Sequence, residues 1–373
     1  MPPSAHSERP RILQLVTHKK PGGVRTLAEM VEAGLRARGY QVETLSLRDS
    51  ANWLTVPGHM ARVAAAILSG KPECIFSYQA AASIFGSFFG WVRGVPVRLT
   101  HHTADPTAVP PHWRLLDMLF GTLGIHTHLV ANSEATRSAF DGWPRAYRRR
   151  FVLILHGLDP LPVTDDTDWR ARLKISPTSP MLLATGRLTD QKNHVVAVDA
   201  LPQIAGAHLV IAGEGPNHTK LMQRAADLDV SDRLHLIGNL ERSKLGRLVA
   251  TADIYLFPSV WETFGLAGVE AAMAGLPIVA ADLPVLHEVL ALDPPEATPP
   301  MVRFHAPDSA VDLATAVRAT VAAYPLPDRR AAFSQLHRER HGRARMLDQY
   351  EAFLAAVMSR HPEGRSMRRS AAR

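Results

Sequence analysis

Cysteine is almost absent from this chain of 373 residues, which contains Cys74 alone. An internal disulfide and a cysteine-based metal site are therefore excluded. Because Cys74 stands beside an apolar run, we expect its thiol to be buried and unreactive. Aromatic residues are also scarce, at 6%. They form no stripe interleaved with basic residues, so nucleic acid is not an expected partner.

Long apolar runs are missing as well. The most apolar stretch, 80–92, is broken by two serines and two glycines. It is also too short to cross a bilayer, which takes about 20 apolar residues. The N-terminal stretch 1–16 lacks the apolar core of a signal peptide. These absences favour a cytoplasmic protein, either free or peripheral at the inner face of a membrane.

Positive charge is in excess, with a net charge of +7 and a pI near 9.8. Arginines concentrate in two clusters, namely Arg145, Arg148, Arg149 and Arg150, and then Arg360, Arg365, Arg368, Arg369 and Arg373. A solvated surface and a frayed terminus would account for both clusters. Attraction to anionic lipid headgroups is the functional alternative.

Short apolar runs alternate with helical patterns along the whole chain, which is typical of a parallel sheet covered by helices. The predicted strands are 11–16, 41–47, 74–78, 97–100, 128–131, 152–155, 181–185, 208–212, 234–237, 254–257 and 278–280. The predicted helices include 24–38, 310–323 and 343–359.

The composition changes between 158 and 180, where prolines and aspartates predict a linker with one short helix. The fold class is therefore α/β, with two doubly wound, Rossmann-like domains at 1–160 and 161–342 and a last helix with a basic tail at 343–373. Ligands of such sheets bind beyond the carboxyl ends of the strands. We accordingly expect the domains to face each other across a ligand-binding cleft.

Two cations follow the first predicted strand of the second domain. Arg187 comes directly after Gly186, and Lys192 lies five residues later. An arginine binds phosphate oxygens in a fork and a lysine supplies a mobile point charge. This pair suits a diphosphate leaving group, although a basic surface loop would look the same in sequence.

Two acids surround the predicted start of the helix after strand 254–257. Glu262 precedes the free backbone N–H groups of Gly265 and Leu266, so it could simply cap that helix. Glu270 lies within an otherwise apolar stretch, 266–273, where a carboxylate needs a partner. Because a carboxylate accepts hydrogen bonds from paired hydroxyls, both acids suit a sugar or a ribose.

Histidines and glycines mark two further strand ends. His101 and His102 end the strand 97–100, and one of them could contact a ligand or a developing charge. A buried, satisfied histidine is the alternative, and two adjacent histidines are too few for a metal. Gly22 and Gly23 open the first helix, where backbone N–H groups can approach an anion. A plain turn explains them equally well.

These segments together resemble the retaining glycosyltransferases of family 4 (glycosyl transferases group 1), which have the GT-B fold. The strongest part is 238–280, where two acids separated by seven residues are followed by a small-Gly-x-Pro sequence. The sequence GRL with QKN at 186–193, the sequence ANSEATR at 131–137 and the early Gly22-Gly23 add matches in the family's order. The resemblance covers about 11–358.

The resemblance implies a role for each matched side chain. Arg187 and Lys192 would bind the donor diphosphate, and Glu262 would orient the transferred sugar. His102 matches the family's T-x-H position, with His101 as the runner-up. The implied donor-binding residues are Gly22, Gly23, Gly186, Gly213, Glu214, Gly238, Asn239, Phe264, Gly265, Leu266 and Glu270, the last of which would hold the ribose hydroxyls.

The implied activity is metal-independent transfer, with retention of configuration, from a nucleotide-diphosphate sugar. The acceptor would be a glycan or a lipid-linked molecule in cell-envelope or exopolysaccharide synthesis. No cofactor or metal is implied, and Asp165, Asp166 and Asp168 in the linker are interpreted as solvated. The resemblance also implies that the helix from Arg343 onward returns to the first domain.

Two segments depart from the family pattern. His156-Gly157-Leu158-Asp159 stands where the family has Asn-Gly-hydrophobic-Asp, and 282–288 lacks the usual glycine-rich loop. These differences bear on which sugar is selected. A sugar-nucleotide epimerase and a non-catalytic nucleotide-sugar-binding protein are the alternatives. A phosphorylase would need a pyridoxal lysine and a far longer chain.

Overall fold

A computed structural model of the chain describes residues 9–18, 23–48, 56–293, 298–324 and 327–359. The chain forms two compact units. The first runs to Gly157 and includes the chain from Arg343 onward, and the second is Leu158–Gly342. Each unit contains one six-stranded parallel sheet. The α/β class with two Rossmann-like domains is therefore confirmed.

The first sheet has the strand order β2-β1-β3-β4-β5-β6. Its strands are β1 (Arg11–His18), β2 (Gln41–Arg48), β3 (Cys74–Tyr78), β4 (Val97–His101), β5 (His128–Ala131) and β6 (Phe151–Leu153). The helices of this part are α1 (Gly23–Ala37), α2 (Val56–Gly70), α3 (Ala80–Arg93), α4 (Pro111–Leu123), α5 (Glu134–Ser138) and α6 (Arg145–Arg148).

The second sheet has the order β12-β11-β10-β7-β8-β9. Its strands are β7 (Met181–Thr185), β8 (His208–Ala212), β9 (Leu234–Leu236), β10 (Ile254–Phe257), β11 (Ile278–Ala281) and β12 (Val302–His305). Its helices are α7 (Trp169–Arg172), α8 (His194–Ala200), α9 (His218–Asp227), α10 (Arg242–Thr251), α11 (Leu266–Met273), α12 (Pro284–Leu290), α13 (Ala310–Ala322) and α14 (Pro327–His341).

Helices cover both faces of the first sheet. On one face α1 packs together with the last helix, α15 (Arg343–Met358), whose Met346, Leu347 and Tyr350 share a core with β1 and β3. On the other face α2 and α3 pack on β1, β2 and β3. Because both faces are covered, β3 and β4 are buried at every position, as is Cys74 within β3.

Four features of the fold differ from the sequence-based prediction. Helices α2 and α14 and strand β12 were not predicted, and β6 begins and ends earlier than 152–155. Helix α14 escapes a periodicity argument because its buried positions are Phe333, His337 and His341 in a highly polar sequence. Helix α11 begins at Leu266, so Glu262 precedes it as predicted, and Gly265 at its start adopts a left-handed conformation with φ +85°.

The described residues include no helix long and apolar enough to cross a membrane. The apolar stretch 80–92 forms α3, a helix of 14 residues. The arginine cluster from Arg360 to Arg373 lies outside the described residues.

Candidate functional site

Three neighbouring strands of the second sheet bring the predicted residues to one edge. β10, β7 and β8 are adjacent and parallel, so the loops that follow them leave from the same edge of the sheet. These loops are 186–193, 213–217 and 258–265. They contain Arg187, Lys192, Glu214 and Glu262, four of the residues to which the sequence assigned a role.

Lys192 and Glu262 form an ion pair at this edge. The Lys192 Nζ contacts the Glu262 Oε1, and the two side chains are only 18% and 10% exposed. The Ser259 hydroxyl donates to the same carboxylate oxygen at 3.0 Å, and the ammonium lies 5.2 Å from the centroid of the Phe257 ring. The structure thus joins two side chains to which separate roles were assigned, in a place where water screens their charges poorly.

Backbone contacts hold the lysine loop against the glutamate loop. The Val260 N–H donates to the Gln191 carbonyl at 2.9 Å. The Gln191 side-chain amide donates to the Trp261 carbonyl at 3.2 Å. Asn193 ends the loop with φ +47°, and its side chain donates to the Pro307 carbonyl at 3.1 Å. The position of Lys192 is therefore fixed by its neighbours in sequence as well as by Glu262.

Close backbone approach explains two of the predicted glycines. Gly213 has φ +154°, and a Cβ there would overlap the carbonyl oxygen of Gly186. The Gly186 N–H donates to the Ala212 carbonyl at 3.0 Å, and the Leu188 N–H donates to the Glu214 carbonyl at 3.0 Å. A side chain at Gly213 would separate the loops after β7 and β8.

Several predicted donor-binding residues are accessible at the same edge. Arg187, Glu214 and Asn239 are exposed, and a single bridge pairs Gly238 with Gly213. Within the described part of the chain, Arg187 has no ion-pair partner. Its guanidinium can therefore bind an anion without first breaking a contact.

Glu270 has the partner that its apolar surroundings require. Arg242, at the start of α10, lies 3.1 Å from the Glu270 Oε1. Burial raises the pKa of Glu270, and Arg242 opposes that shift. Sequence reasoning missed Arg242, because nothing in the spacing of 28 residues between the two side chains indicates a contact. The carboxylate is 17% exposed, so one edge of it remains open to a ligand.

His101 is a core residue. Its ring stacks on Tyr78 at 4.1 Å between centroids. One ring nitrogen lies 3.1 Å from the Ser77 carbonyl and the other 2.8 Å from the Tyr350 hydroxyl. Burial lowers the pKa of His101 to about 3. His101 is therefore a buried histidine whose ring nitrogens both have partners, which was the alternative to a ligand contact.

His102 is half-buried and belongs to a chain of polar contacts. The Tyr147 hydroxyl donates to the Asp117 Oδ2 at 2.6 Å, so it must accept from the His102 Nε2 at 3.0 Å. The other Asp117 oxygen lies 3.2 Å from the Nε2 of buried His126. Burial lowers the pKa of His102, and Asp117 opposes the shift. Among the described residues the Nδ1 of His102 has no hydrogen-bond partner, so this nitrogen can serve a ligand.

Other predicted residues lie as follows. Gly23 is the exposed first residue of α1, and Gly22 lies outside the described residues. Phe264 is buried directly before Gly265. Within the described ranges no group of three histidine, cysteine or acidic side chains could hold a metal. In the linker Asp168 accepts from the Ala171 N–H and caps α7.

Both segments that depart from the family pattern lie within the described residues. His156 is buried, and burial lowers its pKa to about 4. Asp282 accepts from the Nε2 of His287 at 2.7 Å, and the His287 ring stacks on Phe304 at 3.6 Å. Helix α12 begins at Pro284, so a helix stands where the family has its glycine-rich loop.

Sequence comparison finds a family match in the second unit. Residues 165–294 match the model of glycosyl transferases group 1. An uncharacterized glycosyltransferase of Methanocaldococcus jannaschii is 30% identical over 147 residues, covering 37% of this chain and 38% of the relative. A GDP-mannose-dependent alpha-(1-6)-phosphatidylinositol dimannoside mannosyltransferase of Mycobacterium tuberculosis is 36% identical over 122 residues, covering 32% and 31%. Each of these two matches spans less than two fifths of this chain and less than two fifths of the relative.

Comparison with solved structures extends over both units. Anabaena HepE in complex with UDP-glucose gives a TM-score of 0.78 at 19% identity, covering 93% of this chain and 100% of that one. Sucrose-phosphate synthase of Thermosynechococcus elongatus gives 0.74 at 16% identity, covering 94% and 99%. At these identities the likeness shows the fold, which is that of GT-B structures.

Proposed function

We propose that the chain is a retaining, metal-independent glycosyltransferase of family 4, since residues 165–294 match the model of glycosyl transferases group 1. It would transfer a hexose from a nucleotide-diphosphate sugar to a glycan or lipid-linked acceptor. The observation that carries the proposal is the cluster of Arg187, Lys192 and Glu262 beside the close-packed Gly186 and Gly213.

Arg187 and Lys192 are proposed to bind the donor diphosphate. A diphosphate presents more negative charge than one carboxylate, so the Lys192 ammonium can turn toward it while Glu262 keeps its bond from Ser259. Positive charge fixed near the leaving oxygens stabilises them as the bond to the sugar breaks. With two cations supplying this charge, a divalent ion is not needed in the proposed mechanism.

Glu262 and Glu270 are proposed to bind hydroxyl groups. Glu270 would accept from the ribose hydroxyls while Arg242 keeps the carboxylate ionised despite its burial. Glu262, with the backbone of Phe264, Gly265 and Leu266, would orient the transferred sugar. The remaining donor contacts are assigned to Gly23 and Gly186 for the diphosphate and to the backbone near Gly213, Glu214, Gly238 and Asn239 for the base.

His102 is proposed to contribute its Nδ1 to the donor sugar. The Tyr147 contact fixes the tautomer with the proton on Nε2. Because burial lowers its pKa, His102 is neutral near pH 7 and acts by hydrogen bonding rather than by charge.

The names of relatives guide the choice of donor and acceptor to test. One relative is named for GDP-mannose and phosphatidylinositol dimannoside, and another for lipopolysaccharide core biosynthesis. HepE was solved with UDP-glucose, and a starch synthase with ADP. The first two names support a role in cell-envelope or exopolysaccharide synthesis with a lipid-linked acceptor, and the proposed site of action is the cytoplasm, at a membrane surface.

The proposal is tested by incubating the protein with GDP-mannose, UDP-glucose and ADP-glucose in a chelator, with and without lipid extract as acceptor. We expect acceptor-dependent release of one nucleoside diphosphate, unchanged by the chelator, and a product whose anomeric configuration matches that of the donor by NMR. Rapid epimer formation without acceptor would instead establish the epimerase. Binding of a donor with no turnover under any condition would favour the non-catalytic alternative.

A further inference from the structure

The outer surface of α2, α3 and α4 is unusually apolar. Seven of the fifteen exposed large hydrophobic side chains in the described part of the chain lie on these three helices. They are Leu68, Phe88, Trp91, Val92, Leu115, Leu119 and Leu123. Trp91, Val92 and Leu123 are 54%, 58% and 72% exposed, which is costly for side chains of this size unless something covers them.

The helices that carry these side chains are neighbours in the fold. Helix α3 lies between α2 and α4, and the rings of Phe85 and Trp113 join α3 to α4 at 6.4 Å. The α4 leucines recur every four residues, so they line one side of the helix. The exposed apolar side chains therefore lie on three adjacent helices, and we call their outer surface the α2–α4 face.

Helices α2, α3 and α4 carry no exposed acidic side chain. Helices α2 and α3 contain no acidic residue. The one acid of α4, Asp117, is buried against Tyr147 and His126. Exposed cations lie on or next to the same helices, namely Arg62, Lys71 and Arg114, with Arg145, Arg148 and Arg149 on or beside α6, which packs on α4. Among these, Arg148 lies 3.9 Å from the exposed Asp141.

We propose that the α2–α4 face docks on a membrane surface that contains anionic lipid. Helices with tryptophan, phenylalanine and leucine on one side and arginine or lysine at the border lie in the interface of such membranes. A second copy of the chain fits the face less well, because a twofold contact places the same cation-rich surface on both sides and the three helices offer no exposed acid to pair with it. The inference rests on the proposed function in one respect only, namely that docking would give the protein access to a lipid-linked acceptor.

Vesicle co-sedimentation tests the docking surface without requiring turnover. The full chain is mixed with phosphatidylcholine vesicles that contain or lack phosphatidylglycerol, at low and high salt. We expect binding that requires the anionic lipid and weakens at high salt. Trp91→Glu with Leu119→Glu should weaken the binding by on the order of tenfold or more, since both apolar anchors are removed.

A double variant of the second unit is the matched control. Val311 and Leu336 are exposed apolar side chains of α13 and α14, and the double variant Val311→Glu with Leu336→Glu should bind vesicles like the unchanged chain. Unaltered melting and nucleoside diphosphate binding in both variants separate this test from a failure of the proposed function. Wild-type sedimentation of the Trp91→Glu, Leu119→Glu variant with the vesicles would overturn the inference. So would a dimer in light scattering that this variant dissociates, with no vesicle binding by the unchanged chain.

Discussion

Lys192→Ala is expected to lower kcat/KM for the nucleotide-sugar donor by about 10²–10³-fold, as removal of a preorganised charge or donor from a leaving group does elsewhere. The expectation follows from the position of the ammonium, which loop contacts and Glu262 hold at the sheet edge beside Gly186. The quantity to measure is the initial rate of nucleoside diphosphate release over a range of donor concentrations.

The same substitution has a structural cost that must be separated from the catalytic one. Glu262 is 10% exposed, and loss of its cation leaves a largely buried carboxylate uncompensated, which typically costs about 3–5 kcal/mol. The double variant Lys192→Ala with Glu262→Gln removes both charges, so it should recover much of the stability while staying inactive. Because Glu262 is itself assigned to the donor sugar, the recovered stability identifies the source of the structural cost only. The catalytic cost is the fall in kcat/KM of Lys192→Ala, measured at a temperature at which that variant is folded.

Lys220→Ala is the matched control for this experiment. Lys220 is 59% exposed, and it pairs with Asp190 at 3.4 Å in the same unit. Because exposed ion pairs contribute little, this variant should keep wild-type rates and stability. Wild-type kcat/KM in the Lys192→Ala variant would contradict the assignment of the diphosphate site.

Acidification from pH 7 to pH 5 is expected to destabilise both units strongly. Burial lowers the pKa of His101 and His337 to about 3 and that of His156 and His194 to about 4. Two of these histidines lie in each unit. In the unfolded chain all four have a pKa near 6.5.

The sign follows from these values. Between about pH 6.5 and pH 4 the unfolded chain binds more protons than the folded chain, so stability is complete above pH 6.5 and falls as the pH drops. Each histidine contributes about 1.4 kcal/mol per pH unit, or about 2 kcal/mol at pH 5. The sum of about 4 kcal/mol per unit is a large part of the 5–15 kcal/mol typical of a folded domain.

His337→Leu provides the variant for this test. It removes one titrating group from the second unit, so the loss of stability between pH 6.5 and pH 5 should be smaller by about 2 kcal/mol. Gln335 is exposed on the same helix and has no titrating group, so Gln335→Leu should keep the wild-type dependence. Denaturant midpoints at several pH values provide the comparison. A midpoint that does not change between pH 7 and pH 5 would contradict the argument.

The parallel strands were the part of the fold that sequence alone predicted best. β3, β7, β8 and β10 match their predicted bounds residue for residue, because strands buried on both faces are short, continuous apolar runs. Helix α14 was missed for the opposite reason. Its buried positions include His337 and His341, and a sequence does not show that a histidine is desolvated.

In the candidate site, too, some residues were predicted from the sequence and others were not. Loop position and residue type identified Lys192, Glu262 and Glu270, because strand ends at one sheet edge converge in space. The partners Arg242 and Asp117 were not predicted, since each is distant in sequence from the side chain that it supports. A sequence thus suggests candidate ligand-binding groups more readily than the groups that hold them in place.

Calorimetric titration of uridine, guanosine and adenosine diphosphates in a chelator tests most directly whether the second unit binds a nucleotide-sugar donor without a metal. We expect one of the three to bind in a 1:1 complex. Lys192→Ala and Glu270→Gln should each weaken that binding by about tenfold or more, whereas Lys220→Ala should leave it unchanged. Binding of none of them, binding only with a divalent ion, or wild-type affinity in both site variants would contradict this account.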